Sequence, residues 1–235
     1  MKNINIKRAI VSVYDKNHLS VLAEYFLKNR IEVLSTGGTY LFFKEYNSEI
    51  KVSEISKYTG FKEILDGRVK SLHPFIHAGI LAKKNKVSHK KQLEKFNINF
   101  IDLVVVNLYP FEEAINKDSS MFENCIENID IGGPTLIRGA AKNFENITVL
   151  SNPNLYQSFV DEVENNNNTV SLKFRKKCAK IAFEHTSYYE SVISNWFNKD
   201  DDQFCSEKLT IPAKKIAKMR YGENPHQSAS LFEFY

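Results

Sequence analysis

The sequence is poor in the features that mark several classes of protein. It has only three cysteines among 235 residues, Cys125, Cys178 and Cys205. An odd number without CxxC spacing argues against a disulfide framework and a structural zinc site, and it favours a reducing compartment. No apolar run approaches the roughly 18 residues that span a bilayer, and the first residues lack the apolar stretch of a secretory signal. We therefore expect a cytoplasmic protein with no membrane partner.

Charge of one sign is not in large excess either. The chain has 32 Lys+Arg against 28 Asp+Glu, a net charge of +4, which does not by itself indicate nucleic-acid binding. The one basic stretch, residues 83–91, is interpreted as a solvated helix face and loop. We expect no nucleic-acid partner, and the mild positive balance suits a small anionic substrate.

What the chain does contain is an alternation of strand-like and helix-like segments. Short runs that are mostly apolar or β-branched predict five strands, at residues 8–13, 31–34, 51–55, 101–107 and 147–150. We expect the third of these strands at an edge of the sheet. The fourth run is nearly continuous in apolar residues, as in a central strand buried on both faces. Helical spacing between the runs completes the pattern, which predicts an α/β fold with an open, mostly parallel sheet flanked by helices.

The carboxyl-terminal part of the chain differs in composition from the rest. Residues 198–208 are charged and short of aliphatic side chains, as in a linker. The residues beyond it are too few to bury a core of their own. We therefore predict one domain over residues 1–198 and, over 199–235, a linker with the truncated start of another.

In an open α/β sheet, ligands bind beyond the carboxyl ends of the strands. Polar residues stand at three of these predicted ends. Ser12 lies near the end of the first strand and Lys16 just after it, residues 35–39 follow the second, and the fourth ends at Asn107 with Tyr109 shortly after. Their predicted convergence on one edge makes that edge the candidate site.

The segment Ser35-Thr36-Gly37-Gly38-Thr39 lies between a predicted strand and a predicted helix. Glycines let a phosphate approach the backbone, hydroxyls donate hydrogen bonds, and a helix N-terminus adds partial positive charge. A plain tight turn capped by Thr39 is the alternative. Lys16 nearby favours the phosphate, because an ammonium group is a natural partner for it.

The loop at residues 66–74 carries Arg68 and Lys70, whose side chains would point the same way if the backbone were extended. Two such cations suit a substrate with a phosphate and carbonyl groups, whereas the alternative is an ordinary basic surface loop. His73 and His77 are one helical turn apart, but no third ligand accompanies them. We interpret both as structural and expect no metal.

Residues 130–143 give the densest pattern. Asp130 precedes a Gly-Gly pair and a helix that we expect Pro134 to open, so its carboxylate should lie near a helix N-terminus. Lys142 is on the same helix. Together with Tyr109 these two groups could form a proton-transfer network. The alternative, an N-terminal charge and a surface lysine, is disfavoured by the small residues at 139–141, which indicate close packing.

Five blocks, taken in order, resemble a known family. They are Ser-Val-Tyr-Asp-Lys, Ser-Thr-Gly-Gly-Thr, Gly-Arg-Val-Lys-Ser-Leu-His-Pro with His-Ala-Gly-Ile-Leu-Ala, Asn-Leu-Tyr-Pro-Phe, and Ile-Asp-Ile-Gly-Gly-Pro-Thr-Leu-Ile-Arg-Gly-Ala-Ala-Lys-Asn. Residues 7–198 resemble the IMP cyclohydrolase domain of the bifunctional enzymes that combine AICAR transformylase with IMP cyclohydrolase. Residues 219–227 resemble the opening of their transformylase domain.

The resemblance implies a methylglyoxal-synthase-like fold, a homodimer and the last step of purine biosynthesis. In that step 5-formamidoimidazole-4-carboxamide ribotide closes to inosine monophosphate (IMP) with loss of water, without a cofactor. Formyl transfer from 10-formyltetrahydrofolate is not expected of this chain. Two alternatives share the fold. One is a regulatory domain that binds a phosphorylated effector without catalysis, and the other is methylglyoxal synthase, whose catalytic aspartate block we do not find.

The resemblance also implies roles for individual residues. The catalytic candidates are Lys70, Tyr109, Asp130 and Lys142, with the acid and the base among the last three left open. Lys70 and backbone N–H groups near Gly132 would stabilise the developing oxyanion. The substrate-binding candidates are Ser12, Lys16, Thr36, Gly37, Gly38, Thr39, Arg68, Ser71, Asn107, Ile131 and Gly132.

Overall fold

The structure is a computed structural model that describes residues 3–69, 71–116, 121–198, 207–224 and 226–234. The chain divides into two compact units. The first comprises residues 1–109 and 130–183, and the second comprises residues 110–129 and 184–235. The predicted division at residue 198 follows the last residue of a described helix, whereas most of the predicted linker, residues 199–206, lies outside the described residues.

The secondary structure alternates between strands and helices through most of the chain. The described strands are β1 (Ile4–Asn5), β2 (Arg8–Val13), β3 (Glu32–Ser35), β4 (Val52–Glu54), β5 (Leu103–Asn107), β6 (Thr148–Leu150), β7 (Thr169–Val170), β8 (Ala213–Lys218) and β9 (Ser230–Phe234). The described α-helices are α1 (Leu19–Lys28), α2 (Gly37–Tyr46), α3 (Ile55–Thr59), α4 (Pro74–Leu81), α5 (Val87–Lys95), α6 (Phe111–Ile115), α7 (Phe122–Glu127), α8 (Gly132–Lys142), α9 (Tyr156–Asn165) and α10 (Leu172–Phe197). Among these helices, none combines the length and apolar character needed to cross a membrane.

The first unit is built on a five-stranded sheet with the order β4-β3-β2-β5-β6, in which every pairing is parallel. This confirms the predicted α/β fold and the edge position of the third predicted strand. The central strands β2 and β5 are buried because helices cover both faces of a parallel sheet. Because β3, β2 and β5 are parallel neighbours, their carboxyl ends lie side by side.

Two local expectations need correction. Helix α8 begins at Gly132 rather than at Pro134, because the Asp130 carboxylate accepts the Gly133 N–H and draws the turn into the helix two residues earlier. Arg68 does not lie in extended backbone. It follows a 3₁₀ turn, Leu65–Gly67, and has right-handed helical dihedral angles itself. The extended geometry that would align Arg68 with Lys70 is therefore absent at Arg68.

The second unit is held together by aromatic side chains and a small antiparallel sheet. Trp196 of α10 packs edge-on against Phe111 of α6, with ring centroids 5.4 Å apart, and stacks on Phe122 of α7 at 5.0 Å. Strand β8 pairs with β9 in antiparallel register. Lys214 of β8 forms an ion pair with Glu112 of α6.

Candidate functional site

Two hydroxyl groups and an ammonium group surround the turn between β3 and α2, which we call the phosphate turn (residues 36–39). Ser12 Oγ at the end of β2 and Thr36 Oγ1 are hydrogen-bonded at 3.0 Å. Gly37 has a φ of 45°, a left-handed conformation that favours glycine. A methyl group placed on Gly38 would lie 3.7 Å from Lys16 Nζ, so the lysine head lies directly over the turn. The structure therefore brings these five candidates together.

Thr39 belongs to the phosphate turn but has a structural task. Its hydroxyl accepts the Val13 N–H at 3.1 Å and donates to the Val13 carbonyl at 3.0 Å, and the residue is buried. The helix cap position is held by Thr36 instead. The alternative of a turn capped by Thr39 is therefore wrong, and the Thr39 hydroxyl fixes α2 to β2.

Asn107, the last residue of β5, is bonded to the loop that follows β2. Its Oδ1 accepts the N–H groups of Tyr14 at 2.7 Å and Asp15 at 3.0 Å, and its Nδ2 donates to the Asp15 carbonyl at 2.7 Å. These bonds join residues more than 90 positions apart, and they hold in place the loop that carries Lys16. We predicted Asn107 as a substrate contact, whereas its amide is largely engaged with backbone.

The turn that leads into α8, residues 130–133, is called here the acid turn. Asp130 Oδ1 accepts the Gly133 N–H at 2.8 Å. Burial raises the pKa of the Asp130 carboxyl, and the backbone N–H groups of Gly133 and Gly132 oppose this only in part. A carboxyl whose pKa is raised by burial is a candidate for proton transfer.

Two further candidates lie at the acid turn. A methyl group placed on Gly132 would be 2.6 Å from Ser71 Oγ, so the buried Ser71 hydroxyl lies against this glycine. Ile131 precedes α8, and its side chain is exposed. Ser71 is the residue after Lys70. Lys70 itself lies outside the described residues, and its catalytic role stays a prediction.

The end of β5 joins the two turns. Asn107 holds the loop that carries Lys16. The side chain of the next residue, Leu108, lies 2.6 Å from a methyl group placed on Gly133 of the acid turn. Tyr109, half-buried, packs its ring against that of Tyr14. Three consecutive residues thus contact both parts of the candidate site.

The structure does not bring every candidate to these turns. Lys142 is the last residue of α8 and is exposed. Ten residues of helix place it about 15 Å along the axis from Gly132. The expected network of Tyr109, Asp130 and Lys142 therefore lacks its lysine here. Arg68 is exposed beside the 3₁₀ turn.

The two histidines singled out by the sequence lie on or before α4. His73 caps that helix, because its Nδ1 accepts the Phe75 N–H at 3.1 Å. Burial lowers the pKa of His77, which favours the neutral ring. Within the described ranges, no group of three or more histidine, cysteine or acidic side chains is placed to hold a metal ion.

A cavity of about 420 Å³ adjoins the phosphate turn at Thr36 and Gly37. Its other walls come from residues 54–56, 59, 61–64, 69 and 72–74, and among them Phe61 and Ile64 are unusually exposed for apolar residues. Sequence reasoning missed this wall. The signal that could have revealed it is the pair of large apolar residues in a loop that has no hydrophobic periodicity.

Comparisons with known proteins agree with the fold. The family described as "MGS-like domain" matches residues 18–135, and the one described as "AICARFT/IMPCHase bienzyme" matches residues 140–234. The "Bifunctional purine biosynthesis protein PurH" of Clostridium perfringens (strain 13 / Type A) is 48% identical over 226 residues. The protein of the same name from Caldicellulosiruptor saccharolyticus is 49% identical over 229 residues.

These two alignments cover 96% and 97% of this chain, and the chain spans 44% of the length of each of those curated relatives. A solved structure, "Crystal structure of ForH", superposes with a TM-score of 0.70 at 31% identity. That superposition covers 82% of this chain and 99% of ForH. The chain therefore belongs to the family of MGS-like domains, and its residues 140–234 are similar to the AICARFT/IMPCHase bienzymes.

Proposed function

We propose that this chain is an IMP cyclohydrolase, which closes 5-formamidoimidazole-4-carboxamide ribotide to IMP with loss of water. The observation that carries the proposal is the arrangement of residues 107–109, which contact both the loop holding Lys16 and the acid turn. Relatives that are named as purine biosynthesis proteins support a role in purine biosynthesis.

The phosphate turn suits the 5′-phosphate of such a ribotide. The turn offers the hydroxyls of Ser12 and Thr36, the first N–H groups of α2 and the Lys16 ammonium. The first N–H groups of a helix have no acceptor within the helix and favour an anion. With the phosphate fixed there, the imidazole and its two arms would extend towards the acid turn.

The reaction joins two groups of one molecule. The carboxamide nitrogen attacks the formyl carbon, a new C–N bond forms, and the formyl oxygen leaves as water after taking up two protons. Holding the two arms in contact removes much of the entropic barrier. Backbone N–H groups at the acid turn, together with Lys70, would stabilise negative charge on the formyl oxygen. Asp130 and Tyr109 are the groups proposed to move the protons.

The direct test follows ultraviolet absorbance after the formylated ribotide is added to the purified chain. Formation of IMP, confirmed by chromatography against authentic material, is the expected result. The competing proposal, a regulatory domain that only binds phosphorylated effectors, predicts binding without a change in the nucleotide. Stoichiometric binding with no IMP formed would therefore reject the cyclohydrolase and favour that regulatory domain.

We further propose that no metal or organic cofactor is required and that the chain acts as a homodimer.

Replacing Lys16 with methionine is expected to raise the Kd for IMP about ten- to a hundredfold, because a charge-assisted hydrogen bond to phosphate is lost. Isothermal titration calorimetry measures this. Inosine, which lacks the phosphate, should bind the variant and the unchanged chain equally. Lys44→Met, an exposed lysine in the last turn of the same helix α2, is the matched control. An equal loss of inosine and IMP affinity would contradict phosphate binding by Lys16.

A further inference from the structure

Tyr14 is a large aromatic residue in a position that the proposed function does not yet use. It follows the buried end of β2, yet 52% of its surface is exposed. Its ring meets that of Tyr109 edge to face, with centroids 4.6 Å apart and planes at 75°. This is the favoured geometry of an aromatic pair. An exposed tyrosine held against a candidate catalytic tyrosine calls for a physical explanation.

The backbone of Tyr14 is tied to the same segment that carries Tyr109. Asn107 Oδ1 accepts the Tyr14 N–H at 2.7 Å, and Tyr109 is two residues further along the chain. The Asn107 amide makes two more bonds to Asp15, so the base of the loop is rigid. The two tyrosine rings add a second link above these bonds. A side chain with a fixed backbone and an edge-on neighbour has few orientations open to it.

We propose that Tyr14 is a positioning residue, whose ring fixes the orientation of the Tyr109 side chain over the site. This inference rests on the proposed function in assigning proton transfer to Tyr109. The loop that carries Tyr14 also carries Lys16, whose ammonium lies over the phosphate turn. Residues 14–16 would thereby fix the position of the ammonium group that contacts the phosphate and the orientation of the tyrosine that moves a proton.

The kinetic test compares two substitutions at this position. Tyr14→Leu removes the ring while Asn107 keeps the backbone in place, so kcat is expected to fall about three- to tenfold, with the Kd for IMP nearly unchanged. Tyr14→Phe keeps the ring and should restore most of the lost kcat. Tyr46→Leu is the matched control, because Tyr46 is another partly exposed tyrosine, stacked on Phe42 at 5.9 Å at the far end of α2. Its kcat should equal that of the unchanged chain.

Two further measurements separate positioning from a merely structural effect. In a Tyr109→Leu background, Tyr14→Leu should cause no further loss of kcat, because the ring to be positioned is gone. Independently of activity, nitration of Tyr109 by tetranitromethane, followed by peptide mass, should be faster in Tyr14→Leu and unchanged in Tyr14→Phe. This second readout tests the inference even if the unchanged chain makes no IMP, a result that would reject the proposed function alone.

Three outcomes would overturn the role of Tyr14. They are unchanged nitration of Tyr109 in Tyr14→Leu, an unchanged kcat in an active Tyr14→Leu enzyme, and an equal loss in Tyr14→Phe and Tyr14→Leu. The last would show that the hydroxyl, not the ring, is required.

Discussion

Asp130→Asn is expected to lower kcat for ring closure by about 10²- to 10⁴-fold, the usual contribution of a positioned proton-transfer group. Asparagine has nearly the same shape and its Oδ1 can still accept the Gly133 N–H, so the acid turn should keep its geometry. The amide cannot take up or release the proton. The Kd for IMP should therefore change by less than about threefold, a loss small beside that in kcat. Stopped-time assays of IMP formation and calorimetry of IMP binding measure the two quantities, and near-normal turnover would reject Asp130 as a proton-transfer group.

The same variant has a stability signature whose sign follows from the raised pKa of Asp130. Because burial favours the protonated carboxyl, the folded chain binds this proton more tightly than the unfolded chain. The resulting stabilisation is complete below the unfolded pKa and is lost as the pH rises through the folded pKa. Above the folded pKa the half-buried carboxylate thus destabilises the fold relative to its protonated form, and Asp130→Asn should raise Tm there. The gap in Tm should shrink as the pH falls below the ordinary range of an aspartate. A gap independent of pH would show that the carboxyl does not titrate as described.

Much of the fold could be predicted because its signals are local. Four of the five sheet strands lie in short runs rich in apolar residues, β4 is the exception, and the helices between the strands follow the 3.6-residue period. The parallel arrangement follows from that alternation. The start of α8 could not be predicted, since it depends on the Asp130 carboxylate accepting a backbone N–H. The proline at residue 134 indicates a helix start, but the hydrogen bond at Gly133 places the first turn before it.

The candidate site could be predicted where the type of a residue and its position at the end of a strand are enough to place it. Ser12, Lys16 and Thr36 meet at the carboxyl edge, as the position of polar residues after parallel strands requires. The roles of Thr39 and Asn107 were not predictable. Their side chains are engaged with backbone 26 and more than 90 residues away in sequence, and no periodicity reports such a bond. The distance of about 15 Å between Lys142 and Gly132 follows from the helix rise alone. The small residues at 139–141 indicated close packing of the helix and so favoured the wrong expectation that Lys142 lies in the site.

Gly133→Ala is expected to reduce kcat about a hundredfold, which is the scale of loss when a catalytic group moves by about 1 Å. A methyl group at this position would lie 2.6 Å from Leu108 Cδ2 and even closer to the Asp130 carboxylate oxygen. Both distances are shorter than real carbon contacts. Since Leu108 is buried behind the glycine, the carboxylate is the group that has room to yield, and its bond to the Gly133 N–H should weaken with it.

A glycine on the same helix provides the matched control. A methyl group on Gly139 would meet Ile80 at 3.5 Å, an ordinary van der Waals contact. Gly139→Ala should therefore leave kcat unchanged and stabilise the fold by about 0.5–1 kcal/mol, because alanine loses less conformational freedom than glycine in a helix. IMP formation and thermal unfolding of the two variants give the comparison. If Gly133→Ala kept the kcat of Gly139→Ala, the Asp130 carboxylate would not need its observed position for ring closure, and the acid turn would lose its assigned part in the reaction.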